Sequence, residues 1–157
     1  MKIKTGYIYH IKDEFFDVVN DENLMTNHER GKKRPTYFTI KDENILWFIP
    51  LSSKVEKYKK IVDKKLNKHG RCDTILIREI LGKESVILLQ NAFPTLEKYI
   101  DHVHLLDNGK PAKVIETLKE EILNKFEYML KLKSKGINLF FTDIDKIKKQ
   151  ILEEKDI

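Results

Sequence analysis

The sequence has little of what marks secreted, membrane-spanning or disulfide-stabilised proteins. Its 157 residues include a single cysteine, Cys72, which cannot form a disulfide within the chain. No apolar stretch approaches the roughly 20 residues needed to cross a bilayer. The N-terminus also lacks the apolar segment of a secretory signal. We therefore expect a cytoplasmic protein that does not contact a membrane.

Several kinds of functional site also lack their sequence signals. The six glycines form neither a Walker loop nor a dinucleotide-binding pattern. His102 and His104 share one face of a predicted strand, but no further ligand follows at a suitable spacing. Cys72 does not stand in a local cysteine and histidine motif that would indicate a nucleophile. The sequence therefore predicts neither a metal nor a cofactor.

The positive charge of the chain is concentrated in one region. The net charge is +5, yet residues 30–71 contain 13 Lys and Arg against 4 Asp and Glu, so this region is +9 and the remainder is −4. Such a region attracts polyanions, which favours a nucleic-acid ligand, although lysine-rich faces that are merely solvated are common. With 41% hydrophobic and 35% charged residues, the chain is expected to form one globular domain over residues 1–157.

Short strands are predicted over the first two thirds of the chain. Residues 5–11 alternate aromatic and β-branched side chains, as strands do. Residues 36–40 and 45–49 flank a connector of hairpin length, and residues 74–80 and 85–89 form a second such pair. So many short strands in so short a chain favour an α+β fold built on a small antiparallel β-barrel.

Helical periodicity predicts one inserted helix and two C-terminal helices. Residues 53–70 carry an apolar stripe with lysines on the other face, and Gly70 is a natural end for this helix. A second stripe runs through residues 115–129. The last helix begins near Thr142 and Asp143, which we expect to cap it.

The polar segment 12–34 shows only weak periodicity. Its Phe15 and Phe16 indicate at most one turn. We therefore predict a long loop. Loops of this length inside a compact domain often have a function.

The two ends of the first hairpin form the candidate site. If the hairpin pairs, the basic residues 32–34 before its first strand lie beside residues 50–54 after its second strand. The second segment contributes Ser52 and Ser53 and enters a helix, whose free N–H groups and partial positive charge favour a phosphate. Ser53 followed by Glu56 is also the pattern of a capping box, in which the serine caps the helix. The two interpretations are compatible.

Three segments in this order carry a resemblance to a known family. They are residues 33–35 (Lys-Arg-Pro), 50–54 (Pro-Leu-Ser-Ser-Lys) and 88–94 (Leu-Leu-Gln-Asn-Ala-Phe-Pro). Together they resemble the ToxN/AbiQ family, the toxins of type III toxin–antitoxin systems, and residues 70–74 are most similar to its CptN and TenpN branches. The resemblance spans about residues 5–130.

The resemblance implies a fold, an activity and partners. The fold would be a small SH3-like barrel related to the MazF and Kid toxins. The activity would be metal-independent cleavage of cellular mRNA, with a role in phage defence by abortive infection. The inhibitor would be a pseudoknotted RNA antitoxin, which the toxin itself processes from a repeat-containing precursor. Closed protein–RNA assemblies with more than one copy of each component are expected.

The resemblance also assigns roles to individual residues. The catalytic residues fall on Lys33, Ser52, Ser53 and Lys54. Some relatives place one residue between the serine and the lysine, which leaves Lys57 as an alternative to Lys54. The aromatic residue of the first strand falls on Tyr7 or Tyr9. The further residues expected to bind RNA are Lys32, Arg34, Lys57, Lys60, Lys64, Lys68 and Arg71.

The chemistry that fits these residues is attack of an RNA 2′-hydroxyl on the adjacent phosphorus. It gives a 2′,3′-cyclic phosphate and a 5′-hydroxyl. It needs a proton acceptor, a donor to the leaving oxygen and hydrogen-bond donors around the phosphorane, but no metal. The base stays open between a lysine crowded by other cations and His28, His69 or Asp73.

Two other functions are compatible with the sequence. Basic charge and aromatic strands would equally suit a non-catalytic RNA-binding module. If the protein were instead structural, its two C-terminal helices would form a partner-binding face. Substitution of Ser53 separates catalysis from binding, and salt-dependent RNA affinity separates both from a structural role.

Overall fold

The computed structural model describes residues 2–29 and 31–155, so Arg30, the first residue of the basic region, lies outside the described residues. No helix in these ranges is long and apolar enough to span a membrane. The elements follow one another in the order β1 (Ile8–Ile11), α1 (Asp13–Val18), β2 (His28–Glu29), β3 (Lys32–Lys33), β4 (Thr36–Asp42), β5 (Ile45–Ser52), α2 (Val55–His69), β6 (Leu76–Ile80), β7 (Lys83–Ile87), β8 (Phe93–Thr95), β9 (Ile100–Val103), α3 (Glu116–Ser134) and α4 (Ile144–Lys155).

Seven strands form one antiparallel sheet around the long strand β5. The strand order is β6-β7-β5-β4-β1-β9, and β8 also pairs with β5. In the β4–β5 hairpin Thr36 lies opposite Pro50 and Asp42 opposite Ile45. On its other side β5 pairs with β8 through Phe48 and with β7 through Ser52. Both predicted hairpins are confirmed.

The predicted closed barrel is wrong. The edge strands β6 and β9 do not pair with each other in the described part of the chain, so the sheet is open. Helix α3 packs on one face, whereas α1 and α4 pack on the other. Because helices cover both faces, the sheet buries its apolar side chains in layers and does not need to close on itself. The α+β class itself is confirmed.

Neighbouring residues in β1 and β4 belong to different cores, because strand side chains point alternately to the two faces. Ile8 and Tyr37 pack in the core that contains Phe126 of α3. Their chain neighbours Tyr9 and Phe38 pack in the core of the opposite face. Phe126 is fully buried, and its truncation to alanine would cost about 3–5 kcal/mol.

The three predicted helices are present, and α2 ends as expected. Gly70 follows α2 with a left-handed φ of 75°, and its N–H donates to the carbonyl oxygen of Leu66 at 2.8 Å. Tyr58 anchors α2 in a small core that includes Val86 of β7. The helix therefore buries one side against the sheet and leaves its lysine side in solvent.

Both predicted serine and threonine caps are wrong. Helix α2 begins only at Val55, and the hydroxyl of Ser53 bonds to Glu29 instead of a helix N–H. The hydroxyl of Thr142 donates to the carbonyl oxygen of Ala92 at 2.6 Å. Asp143 alone caps α4, by accepting the N–H of Lys146 at 3.2 Å. In both places a tertiary partner has taken the hydroxyl.

Residues 12–34 contain more structure than the predicted loop. Phe15 is fully buried and anchors the short helix α1. Strands β2 and β3 form a separate two-stranded hairpin, in which Glu29 lies opposite Lys32. Elements of two to six residues are too short to show periodicity. This hairpin matters because it brings Glu29 to the end of β5.

Candidate active site

The candidate site lies where β4 begins and β5 ends. The N–H of Leu51 donates to the carbonyl oxygen of Pro35 at 3.1 Å, which holds the two chain segments side by side. Arg34 adds a second link, because its Nη1 donates to the carbonyl oxygen of Leu51 at 2.9 Å. The hairpin therefore places Arg34 next to Ser52 and Ser53, as its expected pairing implies.

The carboxylate of Glu29 collects the hydrogen-bond donors of this site. Its Oε1 accepts the backbone N–H of Ser53 at 3.1 Å and also the Ser53 hydroxyl. Its Oε2 accepts the Ser52 hydroxyl at 3.2 Å and Nη1 of Arg34 at 2.6 Å. We call Ser52, Ser53 and Arg34 the donor cluster. Three side chains and one backbone N–H thus converge on a single anion.

Arg34, which the sequence predicts to bind RNA, is an interior residue. Its side chain is 6% exposed, and its Nε donates to the carbonyl oxygen of Thr26 at 2.8 Å. Burial alone would raise the pKa of Glu29, but the hydrogen bonds from Ser53 and the charge of Arg34 hold that pKa below its usual value. The Glu29 carboxylate is therefore ionised at neutral pH.

Lys33 points away from the donor cluster. Its Nζ lies 2.7 Å from Oδ2 of Asp101 on β9. This hydrogen bond raises the pKa of the Lys33 ammonium and, conversely, lowers the pKa of Asp101. Lys33 is therefore firmly protonated, which suits electrostatic stabilisation and not the role of a base.

Lys54 and Lys57 both expose their side chains at the start of α2. The backbone N–H of Lys54 donates to the Ser52 hydroxyl oxygen at 3.2 Å. Nζ of Lys57 lies 5.2 Å from the centroid of the Tyr58 ring. Each amine is free to turn toward a ligand at the helix end, so either lysine remains a candidate.

The two first-strand tyrosines occupy different environments. Tyr9 is 2% exposed and packs edge-on against Phe38, and burial raises the pKa of its hydroxyl. It is a core residue, contrary to the expectation of an RNA contact. Tyr7 is half-buried, with the ammonium groups of Lys4 and Lys113 at 5.7 and 6.0 Å from its ring centroid. It lies beside Phe38, roughly 13 Å along the strands from Ser52.

The remaining basic residues fall into two groups, Arg71, which pairs with an acidic residue, and a set of exposed lysines. Arg71 lies beyond the far end of α2, about 22 Å from its start, where it pairs with Asp73 and stacks over Tyr128 at 5.5 Å. The exposed residues, which lie on β3 and along the solvent side of α2, are Lys32, Lys57, Lys60, Lys64 and Lys68.

The bases considered from the sequence have other partners or lie elsewhere. His28 pairs with Asp13 at 2.9 Å. Asp73 binds both Arg71 and Lys125, the latter at 2.8 Å. His69 is exposed at the far end of α2. Their placement does not favour any of the three as the base of this site.

A histidine cluster next to Lys33 was not expected from the sequence. Nε2 of His10 lies 2.8 Å from Nδ1 of His104, and the ring of His102 stacks on His10 at 4.8 Å. Burial, followed by the neighbouring histidines, lowers the pKa of His10 to about 4. No three His, Cys, Asp or Glu side chains in residues 2–29 and 31–155 are arranged to hold a metal ion.

Comparison of the sequence with protein-family models and with curated proteins gives no match. The structure, in contrast, is similar to that of AbiQ, a lactococcal anti-phage endoribonuclease belonging to the type III toxin–antitoxin system. The two share 17% sequence identity with a TM-score of 0.75, and the alignment covers 98% of this chain and 100% of AbiQ. This chain therefore has the fold of AbiQ.

Proposed function

We propose that the protein is a metal-independent endoribonuclease toxin of a type III toxin–antitoxin system. The observation that carries this proposal is the donor cluster, which gathers two hydroxyls, a guanidinium and a backbone N–H around one anion. Oriented donors of this kind stabilise the charge of a phosphorane. The AbiQ fold supports the assignment to RNA cleavage.

The reaction is attack of a 2′-hydroxyl on the adjacent phosphorus. The 2′-oxygen loses its proton as the new O–P bond forms, and the 5′-oxygen takes up a proton as the P–O5′ bond breaks, which leaves a 2′,3′-cyclic phosphate and a 5′-hydroxyl. Ser52 and Ser53 donate hydrogen bonds to the non-bridging oxygens. The ammonium group of Lys54 or Lys57 offsets the developing charge from the solvent side, and that of Lys33, which Asp101 holds, adds positive charge from a greater distance.

The exposed lysines of α2 extend this site into an RNA-binding surface. They follow the helix away from Ser53 on its solvent side, where a phosphate backbone can lie. Because the chain outside residues 30–71 is net negative, substrate and inhibitor RNA share this surface. We further propose that the inhibitor is a pseudoknot RNA processed by the protein in the cytoplasm, in closed assemblies, and that the system acts in phage defence.

Growth of bacteria that express the chain tests the proposed function. The wild-type chain should stop growth, whereas Ser53→Ala, which removes one phosphate donor, should be tolerated at equal abundance. Ser85→Ala is the matched control, because the Ser85 hydroxyl donates to the carbonyl oxygen of Lys83 in its own strand. Equal toxicity of wild type and Ser53→Ala would exclude Ser53 from the mechanism.

A non-catalytic RNA-binding module is the second candidate, favoured by the exposed lysines alone. Such a module would bind RNA with a steep salt dependence but leave it intact. The Ser53→Ala variant would then lose at most some affinity. Incubation of labelled RNA with the purified chain, followed by gel electrophoresis, separates the two candidates.

A further inference from the structure

Glu29 occupies the donors that the proposed function assigns to a phosphate. An ionised carboxylate offers about four lone-pair positions. Here Oε1 accepts the N–H and the hydroxyl of Ser53, and Oε2 accepts Ser52 and Arg34. All four positions are therefore in use, which leaves none for the proton of a 2′-hydroxyl. Glu29 in this position blocks the donors and cannot serve as the base.

The donor cluster does not depend on Glu29 for its geometry. Arg34 is fixed by the carbonyl oxygens of Thr26 and Leu51, at 2.8 and 2.9 Å. The N–H of Ser53 is fixed by the backbone between β5 and α2. If Glu29 left, these donors would remain in place around an anion-sized site that contains a guanidinium.

The segment that carries Glu29 is suited to release it. Strands β2 and β3 have two residues each and pair only with each other in the described residues, apart from the main sheet. Gly31 turns this hairpin with a left-handed φ of 77°. The two ends of the hairpin are attached separately, because His28 pairs with Asp13 and Lys33 pairs with Asp101. Rotation of the Glu29 side chain thus requires no break in the seven-stranded sheet.

We infer that Glu29 holds the phosphate site closed in the free protein, and that an RNA phosphodiester binds by displacing its carboxylate from Ser52, Ser53 and Arg34. This inference rests on the proposed function of the site. An anion of the same charge and similar oxygen spacing replaces the carboxylate, so the buried Arg34 keeps a partner throughout. Binding of RNA and release of Glu29 are then a single exchange.

The test is the affinity of Glu29→Gln for an RNA that cannot be cleaved. We would measure binding of a mixed-sequence 2′-O-methyl RNA by fluorescence anisotropy. The neutral amide competes less well for charged donors, so affinity should rise at least about five-fold. Glu56→Gln is the matched control, because it removes one exposed carboxylate at the start of helix α2. Its effect should stay within about two-fold because exposed charges are screened.

The same variants should be assayed for cleavage of ordinary RNA. Tighter binding by Glu29→Gln supports the inference even if no variant cleaves RNA, in which case only the proposed function fails. Affinity no higher than that of Glu56→Gln would overturn it, even if the wild type cleaves RNA. Loss of cleavage at control-level affinity would overturn it as well, since Glu29 would then belong to the catalytic machinery.

A titration of the wild-type protein covers the case in which Glu29→Gln does not fold. Inorganic sulfate or the 2′-O-methyl RNA is added, and the backbone amide resonances are followed by NMR. The inference predicts that the resonances of Ser53, which gains a new acceptor, and of Glu29, which loses its donors, shift with the same midpoint. A shift at Ser53 with none at Glu29 would show that the carboxylate stays in place, and would overturn the inference.

Discussion

Arg34 and Glu29 form a 2.6 Å ion pair whose side chains are only 6% and 12% exposed. Arg34 also bonds to the carbonyl oxygens of Thr26 and Leu51. One guanidinium therefore ties the β2–β3 hairpin to the end of β5. The site depends on this residue for its shape, and in the free protein the carboxylate of Glu29 occupies its guanidinium.

Replacement of Arg34 by methionine should lower the free energy of unfolding by about 3–5 kcal/mol. The reason is that the variant removes the positive partner of a largely buried carboxylate and leaves two carbonyl oxygens without their donor. Urea denaturation followed by circular dichroism measures this loss. The matched control is Arg78→Met, because Arg78 pairs with Glu121 in a more exposed position and should contribute less than about 1 kcal/mol. Equal losses for both variants would contradict the structural role of Arg34.

Stability should fall as the pH drops from 7.5 to 5. The pKa of His10 is about 4 in the folded protein, against an ordinary value of 6.5, so the unfolded chain binds more protons in this window. His104, His102 and Lys33 oppose protonation of His10, and Asp101 favours it. The loss by pH 5 should be about 2 kcal/mol, and stability should be unaffected by this group above about pH 7.

Urea denaturation at the two pH values measures this effect, with two variants as comparison. His10→Gln should show a clearly smaller pH dependence, and a part should remain because burial also lowers the pKa of His104. His69→Gln should keep it, because His69 is exposed at the end of α2. Carboxylates with a lowered pKa, such as Glu29 and Asp101, lose their contribution only below about pH 4.5, outside the chosen window. A pH dependence that is undiminished in His10→Gln would refute the assignment.

Simultaneous reversal of Lys57 and Lys64 to glutamate should weaken RNA binding and flatten its salt dependence. Both side chains are exposed on α2, so the change should not unfold the protein. Each lost phosphate contact should reduce the slope of log affinity against log salt by about 0.7–0.9. The control is reversal of Lys110 and Lys131, which are equally exposed outside the basic region. Unchanged affinity and slope in the α2 variant would place the RNA elsewhere.

Periodicity in the sequence was sufficient to predict the larger elements. The alternating strands on either side of residues 41–44 and the stripe of α2 up to Gly70 are present as expected. Pairing of the hairpin also correctly implied that Arg34 lies beside Ser52. These features are local, and their patterns follow directly from backbone geometry.

What the sequence could not give depends on contacts between distant residues. Glu29 stands in a weakly patterned segment and meets Ser53 from 24 positions away. His10 meets His104 from 94 positions away, through the pairing of β1 with β9. The barrel was expected because strand patterns do not reveal which edges pair. The hydroxyls of Ser53 and Thr142 were misassigned as caps because a tertiary partner competes with the helix for each.

We propose that this chain cleaves RNA by attack of an RNA 2′-hydroxyl on the adjacent phosphorus, and that protein groups stabilise the negative charge that develops there. The most direct test is to identify the end groups that the purified wild-type protein leaves on a labelled RNA in the presence of EDTA. We expect efficient cleavage with a 2′,3′-cyclic phosphate on one fragment and a 5′-hydroxyl on the other. A 3′-hydroxyl with a 5′-phosphate, or cleavage that stops in EDTA and returns with magnesium, would contradict it.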